Sequence, residues 1–157
     1  MARLSKTLTK EQVAMRHGYR SGLEDTVATQ LQVCGVAAKY EPFRIAYIQP
    51  KRMANYTPDF VLPNGIIIET KGHFVTKDRQ KHVLIKEQHP DLDIRFVFSN
   101  SNNRISKTSK TTYGLWSKKH GFLFAAKTIP TEWMNEPPDE RRIKAYSQFA
   151  NERKSKN

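Results

Sequence analysis

Tyr56-Thr57-Pro58-Asp59-Phe60-Val61-Leu62-Pro63-Asn64-Gly65-Ile66-Ile67-Ile68-Glu69-Thr70-Lys71-Gly72 is the stretch that decides the fold. Two apolar runs, Phe60-Val61-Leu62 and Ile66-Ile67-Ile68, flank a short segment of turn-forming residues. Unbroken apolar runs mark strands covered on both faces. The turn sets the register. Pro63 supplies the fixed φ of the first position of a type I turn, Asn64 suits the second, and Gly65 takes the left-handed third. Leu62 then pairs with Ile66, and counting outward puts Asp59 opposite Glu69. Alternation along the strand places Lys71 on the face of Glu69. A two-residue Asn-Gly turn would shift the register by one and send Asp59 to the other face. The three-residue loop is the preferred reading.

Acids at the ends of strands that should be buried need a reason. An unpaired buried charge is costly, and like charges facing each other across a ladder are destabilising. The plainer reading is an ordinary surface hairpin in which Lys71 bridges both acids. The continuous apolar flanks argue against it. A divalent cation is the natural partner, since Mg²⁺ takes hard oxygen ligands, usually one or two carboxylates plus waters and substrate phosphate.

At 157 residues the chain reads as one domain with tails. Lys and Arg outnumber Asp and Glu 27 to 15, giving a net charge of +12 and a pI near 9.9. That balance points to a polyanionic partner, with nucleic acid the leading class. A membrane surface is the competing partner, but no stretch is apolar enough to span and no basic amphipathic helix dominates. Met1-Ala2-Arg3-Leu4-Ser5-Lys6 lacks an apolar signal region, so nothing marks the chain for export. Cys34 is the only cysteine, which excludes an internal disulfide and a multi-cysteine zinc site. The 5 histidines show no HExxH-like spacing. A reducing cytoplasm is the expected compartment.

Residues 1–19 read as a basic flexible arm and 20–136 as the folded domain. Ser21-Gly22-Leu23-Glu24 opens a helix with Leu23, Val27 and Leu31 on one stripe, and the helix ends before Gly35. Segment 39–49 reads as a strand closed by Pro50, with a basic loop at Lys51-Arg52 leading into the hairpin. A helix is expected over 78–88, with Val83, Leu84 and Ile85 inward and Lys77, Arg79, Lys81 and Lys86 mostly outward. Ile94-Arg95-Phe96-Val97-Phe98 reads as a strand, 99–110 as a loop, and Tyr113, Leu115 and Trp116 as part of a helix stopping at Gly121. Pro137-Pro138 closes the compact part, and 137–157 is expected to be a basic tail, frayed or helical only on DNA. The order implies an α/β (α+β) sandwich with a small mixed sheet.

Pro58-Asp59 followed by Glu69-Thr70-Lys71 resembles the PD-(D/E)xK signature of restriction-endonuclease-like nucleases, with Glu24 as the upstream helix glutamate. The likeness extends further. Arg20-Ser21-Gly22-Leu23-Glu24-Asp25, Leu62-Pro63-Asn64-Gly65-Ile66, Glu69-Thr70-Lys71-Gly72, Glu87-Gln88-His89-Pro90 and Leu92-Asp93-Ile94-Arg95 resemble the endonuclease I family of T7-type bacteriophages. The likeness thins in the arm, in the loop 99–110 and in the tail. It implies a restriction-endonuclease-like mixed sheet flanked by helices and a domain-swapped homodimer exchanging through a linker at about 40–50. It also implies a Holliday junction resolvase: a Mg²⁺-dependent endonuclease that cuts four-way and other branched DNA to leave 5′-phosphates. No small-molecule cofactor is expected, and the compartment would be the bacterial host cytoplasm if the gene is phage-borne.

By position the resemblance makes Glu24, Asp59, Glu69 and Lys71 the catalytic set, with Glu24, Asp59, Glu69 and the Thr70 carbonyl as metal ligands. Two divalent ions about 3.5–4 Å apart can activate a water and support the leaving 3′-oxygen, and Mn²⁺ could substitute for Mg²⁺. Asp59 would bridge them, Glu69 and Thr70 would hold one, and Glu24 the other. Lys71 would orient or help deprotonate the water, or neutralise the pentavalent phosphate. Glu24 has a competing role as the far end of a capping box, reaching back to the Ser21 N–H. Arg79, Lys81, Lys107 and Lys110 are candidate phosphate contacts against the plainer reading of a solvated face. His73 and His82 read as surface residues, Tyr113 and Trp116 as core, and Cys34 as packed on the inner side of its helix. The alternatives are a PD-(D/E)xK nuclease of linear or nicked duplex and a non-catalytic branched-DNA-binding module.

Overall fold

The computed structural model describes residues 17–49 and 51–154, so the arm expected over 1–19 lies almost wholly outside the described residues. Helix α1 (Gly22–Val33) begins at Ser21, whose Oγ accepts from the Glu24 N–H at 3.1 Å and so satisfies a free donor of the first turn. Strands β1 (Lys39–Tyr40), β2 (Ile45–Gln49), β3 (Arg52–Tyr56), β4 (Phe60–Val61) and β5 (Ile67–Lys71) follow. Helix α2 (Thr76–Gln88), β6 (Ile94–Phe98), α3 (Tyr113–Lys119), β7 (Phe124–Ala126), α4 (Thr131–Asn135) and α5 (Glu140–Lys154) complete the order.

The main sheet runs β1-β4-β5-β6-β7. Its first pairs are antiparallel, while β5, β6 and β7 are parallel neighbours. Parallel pairing requires crossovers, and α2 and α3 supply them. This is the mixed sheet flanked by helices read from the sequence. The deciding hairpin also has the register read from its turn. Phe60 pairs with Ile68 and Val61 with Ile67, and the Leu62 N–H donates to the Ile66 carbonyl at 2.8 Å. Gly65 sits at φ 93°. A Cβ there would stand 2.8 Å from Ile143 Cγ1, so the turn needs glycine for space as well as for conformation.

Both faces of the sheet are covered. Val61, Ile67, Ile94, Phe96 and Phe98 face one core with Phe74, Ile85 and Trp116. Phe60, Leu62, Ile66, Ile68 and Val97 face the other, against Val27 and Leu31 of α1. Each such side chain contributes about 1.5–3 kcal/mol when fully buried, so the central strands form a rigid base for the groups at their ends.

Several segments depart from the sequence reading. Segment 39–49 is not one strand: it is interrupted at Glu41, which has a φ of 40°, and at Pro42. Arg52, expected in a loop, begins β3, which pairs with β2 as a second hairpin from Gln49–Arg52 to Ile45–Tyr56. Arg79 turns inward, its guanidinium donating to the Phe74 carbonyl and to Thr76 Oγ1. Leu115 is exposed. Cys34 is exposed at the end of α1 rather than packed within. Among the described residues after Pro137-Pro138 the chain forms α5, which docks through Phe149, with Ala145, Tyr146 and Ala150 beside it. Arg142 adds a 2.8 Å bond from its Nε to the Asn64 carbonyl of the hairpin turn.

Candidate active site

The acids gather where β4 ends. The β4–β5 pairing stops at Phe60 and Ile68, so the edge of β5 beyond Ile68 has no strand against it. Asp59 fills that gap. Its Oδ2 accepts from both the Thr70 N–H and the Thr70 hydroxyl at 2.8 Å. The N–H and carbonyl of a strand residue leave by the same edge, which aims the Thr70 carbonyl at the Asp59 side.

Glu69, 3% exposed, lies on the face of β5 that meets α2. Its Oε2 accepts from the Tyr56 hydroxyl at 2.6 Å, and its Oε1 stands 3.0 Å from Lys71 Nζ. Lys71 reaches Asp78 Oδ2 of α2 at 3.7 Å as well. Glu24 comes from the layer on the other side of the sheet. Its Oε2 accepts from the Arg20 N–H at 2.9 Å and from the Tyr40 hydroxyl at 2.6 Å. The carboxylate thus reaches back as a capping box would, to the amide one residue earlier than Ser21, while Tyr40 pins it toward the sheet. Glu24, Asp59, Glu69, Thr70 and Lys71 line one cleft of about 500 Å³, with Arg20, Asp78 and Lys81 among the other lining residues.

Burial raises the Asp59 carboxyl to about 8, and the charge of Glu69 adds to the effect against the hydrogen bonds from Thr70. Burial would raise Glu69 too, but the Lys71 ammonium together with His82 and Lys81 outweighs it and holds this carboxyl well below the usual range. Burial opposes the charge on Lys71, yet Glu69 and Asp78 raise its pKa above the ordinary lysine value. In this metal-free state the neighbouring acids thus favour the ammonium form of Lys71, which suits it to neutralising a phosphate.

Among the described residues no three His, Cys, Asp or Glu side chains stand close enough to ligate a common ion in this conformation. Each site carboxylate holds a protein donor instead. The donor set nevertheless suits a hard divalent cation: carboxylate oxygens of Glu24, Asp59 and Glu69 and one strand carbonyl. The raised Asp59 pKa marks a site short of positive charge.

His82, read as a surface residue, is fully buried: it points inward from a helix whose polar composition hides that face. His73 is exposed, as are Lys107 and Lys110, which do not line the cleft, whereas Lys81 does. Tyr113 and Trp116 are core. Sequence reasoning missed Tyr40, Tyr56 and Asp78. A buried tyrosine needs a partner for its hydroxyl, and Tyr56 close to the Pro58-Asp59 pair carried that signal.

The mixed sheet brings two acids and a lysine into one cleft with a helix glutamate beside them, the arrangement that the PD-(D/E)xK resemblance leads one to expect. The family model for phage endonuclease I matches residues 1–156, and the chain belongs to that family. It is 52% identical over 122 residues to Endonuclease I of Escherichia phage T7, covering 78% of this chain and 82% of that protein. It is 55% identical over 122 residues to Endodeoxyribonuclease 1 of Enterobacteria phage T3, covering 78% and 80%. No helix among the described residues is long and apolar enough to cross a membrane.

Proposed function

We propose that this nuclease is a Mg²⁺-dependent endodeoxyribonuclease that resolves four-way and other branched DNA as a homodimer in the host cytoplasm. The observation that carries this reading is the convergence of Glu24, Asp59, Glu69 and Lys71 on one cleft in a chain of net charge +12. The names of the T7 and T3 relatives agree with it. Glu24, Asp59, Glu69 and the Thr70 carbonyl would hold the divalent ions, and Mn²⁺ would serve in place of Mg²⁺. Such ions lower the pKa of a bound water and stabilise charge on a leaving oxygen. Asp59 would have to be ionised to serve as a ligand. Lys71 places its ammonium against the phosphate, where developing negative charge is neutralised. Tyr56 and Tyr40 fix the orientation of Glu69 and Glu24.

Ile48 and Met53, paired across the β2–β3 hairpin, are both exposed, an apolar patch suited to a second copy of the chain. Within the segment that joins β1 to β2, Glu41 sits at φ 40°, which costs a non-glycine residue about 1–2 kcal/mol. Such a strained connection favours exchange of α1 and β1 between protomers through the linker at about 40–50. The test of the activity is cleavage of a four-way junction against a linear duplex of the same sequence, with Mg²⁺ and with chelator. Preferential, metal-dependent junction cleavage is the expected result. Equal cutting of both substrates would overturn the branch selectivity, and no cutting of either would overturn the enzymatic reading.

A further inference from the structure

Beneath Glu69 lies a hydrogen-bond donor that is not in use. His82 is completely buried, and neither of its ring nitrogens has a hydrogen-bond partner. Among the described residues no other buried side-chain nitrogen or oxygen is left so. The ring is held edge-on by Tyr56 and Phe96, with centroids 5.1 and 4.9 Å away. A leucine would fill this apolar slot without the cost of unpaired polar atoms. Packing alone therefore gives no reason for an imidazole.

Its surroundings give one. His82 Nε2 stands 3.7 Å from Glu69 Oε1, the oxygen that Lys71 Nζ holds at 3.0 Å. Tyr56 holds the other oxygen. Closing from 3.7 Å to an ordinary N–H···O separation of about 2.9 Å takes a movement of about 0.8 Å. Burial favours the neutral imidazole, which has a single N–H to give. A carboxylate has enough lone pairs for Tyr56, His82 and a cation together. Lys71 has somewhere to go, because Asp78 already lies 3.7 Å from its Nζ at the wall of the same cleft.

We propose that His82 is a positioning residue for Glu69: when Glu69 takes up a divalent cation, Lys71 leaves Oε1 for the phosphate, and the His82 Nε2–H closes on that oxygen in its place. Like charge separates the ammonium from the cation. Without a substitute donor, the buried carboxylate would lose half its support as it becomes a ligand. Groups that hold a ligand from behind typically change metal affinity about 10- to 100-fold. This inference rests on the cation site proposed above.

The test compares His82→Leu, which removes the donor, with His82→Gln, which returns an amide N–H near the position of Nε2. Calorimetric titration with Ca²⁺ alone should show about 10-fold weaker binding for His82→Leu, and for His82→Gln binding within about 3-fold of the parent. In metal-free buffer His82→Leu should melt no lower than the parent, because an unpaired polar ring has been removed; a merely structural histidine would give a lower melting temperature. On junctions in Mg²⁺, kcat should fall while KM stays level. Parental Ca²⁺ affinity in a folded His82→Leu would overturn the inference and leave the cation site standing. A parent protein whose Ca²⁺ binding is absent, or unchanged in Glu69→Gln, would overturn both. Should the variants fail to fold, ¹⁵N spectra of histidine-labelled parent decide: a proton on His82 Nε2 whose signal shifts with Ca²⁺ supports the inference, and a proton on Nδ1 or an unmoved signal overturns it.

Discussion

Asp59 and Glu69 lie opposite each other just past the end of the β4–β5 ladder and hold their protons unequally. Asp59 is pushed up to about 8 by burial and by the charge of its neighbour. Glu69, against Lys71, stays ionised. Two buried carboxylates that close cannot both ionise cheaply unless positive charge is added, so a metal-free site at neutral pH keeps one proton. Ion binding and proton release are thereby linked.

The linkage has a sign that can be measured. Unfolded Asp59 ionises near its ordinary 3.8, folded Asp59 only near 8. Between those values the folded state carries the extra proton, so stability falls as pH rises and levels off above 8. Burial lowers the pKa of His82, which acts in the opposite direction, but only below its ordinary 6.5. The clean window is therefore pH 6.5 to 8. Across it the metal-free parent should lose about 1–2 kcal/mol relative to Asp59→Asn, which cannot ionise. Urea melts of both proteins at several pH values give the difference directly. A gap that stays constant with pH would show that Asp59 is already ionised at 6.5.

Glu69→Gln separates chemistry from affinity. Phosphate contacts by Lys and Arg supply most nucleic-acid affinity, and Glu69 carries none of that charge. Junction affinity in Ca²⁺ should stay within about 3-fold of the parent, while cleavage in Mg²⁺ falls by about 10²–10³-fold or more. Gel-shift and single-turnover cleavage on the same junction report both quantities. Substantial cleavage by this variant would remove Glu69 from the mechanism.

The hairpin and its acids were legible in the sequence because a three-residue turn ending in glycine admits one register, and that register carries Asp59, Glu69 and Lys71 with it. Strand β6 was legible from Ile94, Phe96, Val97 and Phe98, which are interrupted only by Arg95. What escaped depended on contacts distant in sequence. The break at Pro50-Lys51 hid the β2–β3 hairpin, and the charged residues of α2 hid the inward faces of Arg79 and His82. Helix α5 was masked by the two prolines ahead of it and by its basic composition. Yet Ala145, Tyr146, Phe149 and Ala150 share the face that packs on the core, at the spacing of a helix stripe. Phe149→Ala should therefore cost about 3 kcal/mol or more by chemical denaturation. A change below about 0.5 kcal/mol, usual for a surface site, would restore the view of 137–157 as a tail.

The described chain brings Glu24 to its own Asp59 and Glu69. Exchange of α1 and β1 between protomers would keep every one of those contacts and change only the chain that supplies them. A mixed dimer distinguishes the two arrangements. Chains carrying Glu24→Gln and chains carrying Asp59→Asn are co-expressed with different tags, and the heterodimer is isolated through both. If sites are shared, one site receives both lesions and the other neither, so one intact site remains. If each site is built within one chain, every site carries a lesion. The expected outcome is a heterodimer that nicks one strand of a junction at about half the parental number of active sites and resolves it poorly, because paired incisions are lost. Each homodimeric variant should be inactive, and all three proteins should bind junctions alike, since the phosphate contacts are untouched. A folded, junction-binding heterodimer with no nicking activity would establish that Glu24 serves the site of its own chain.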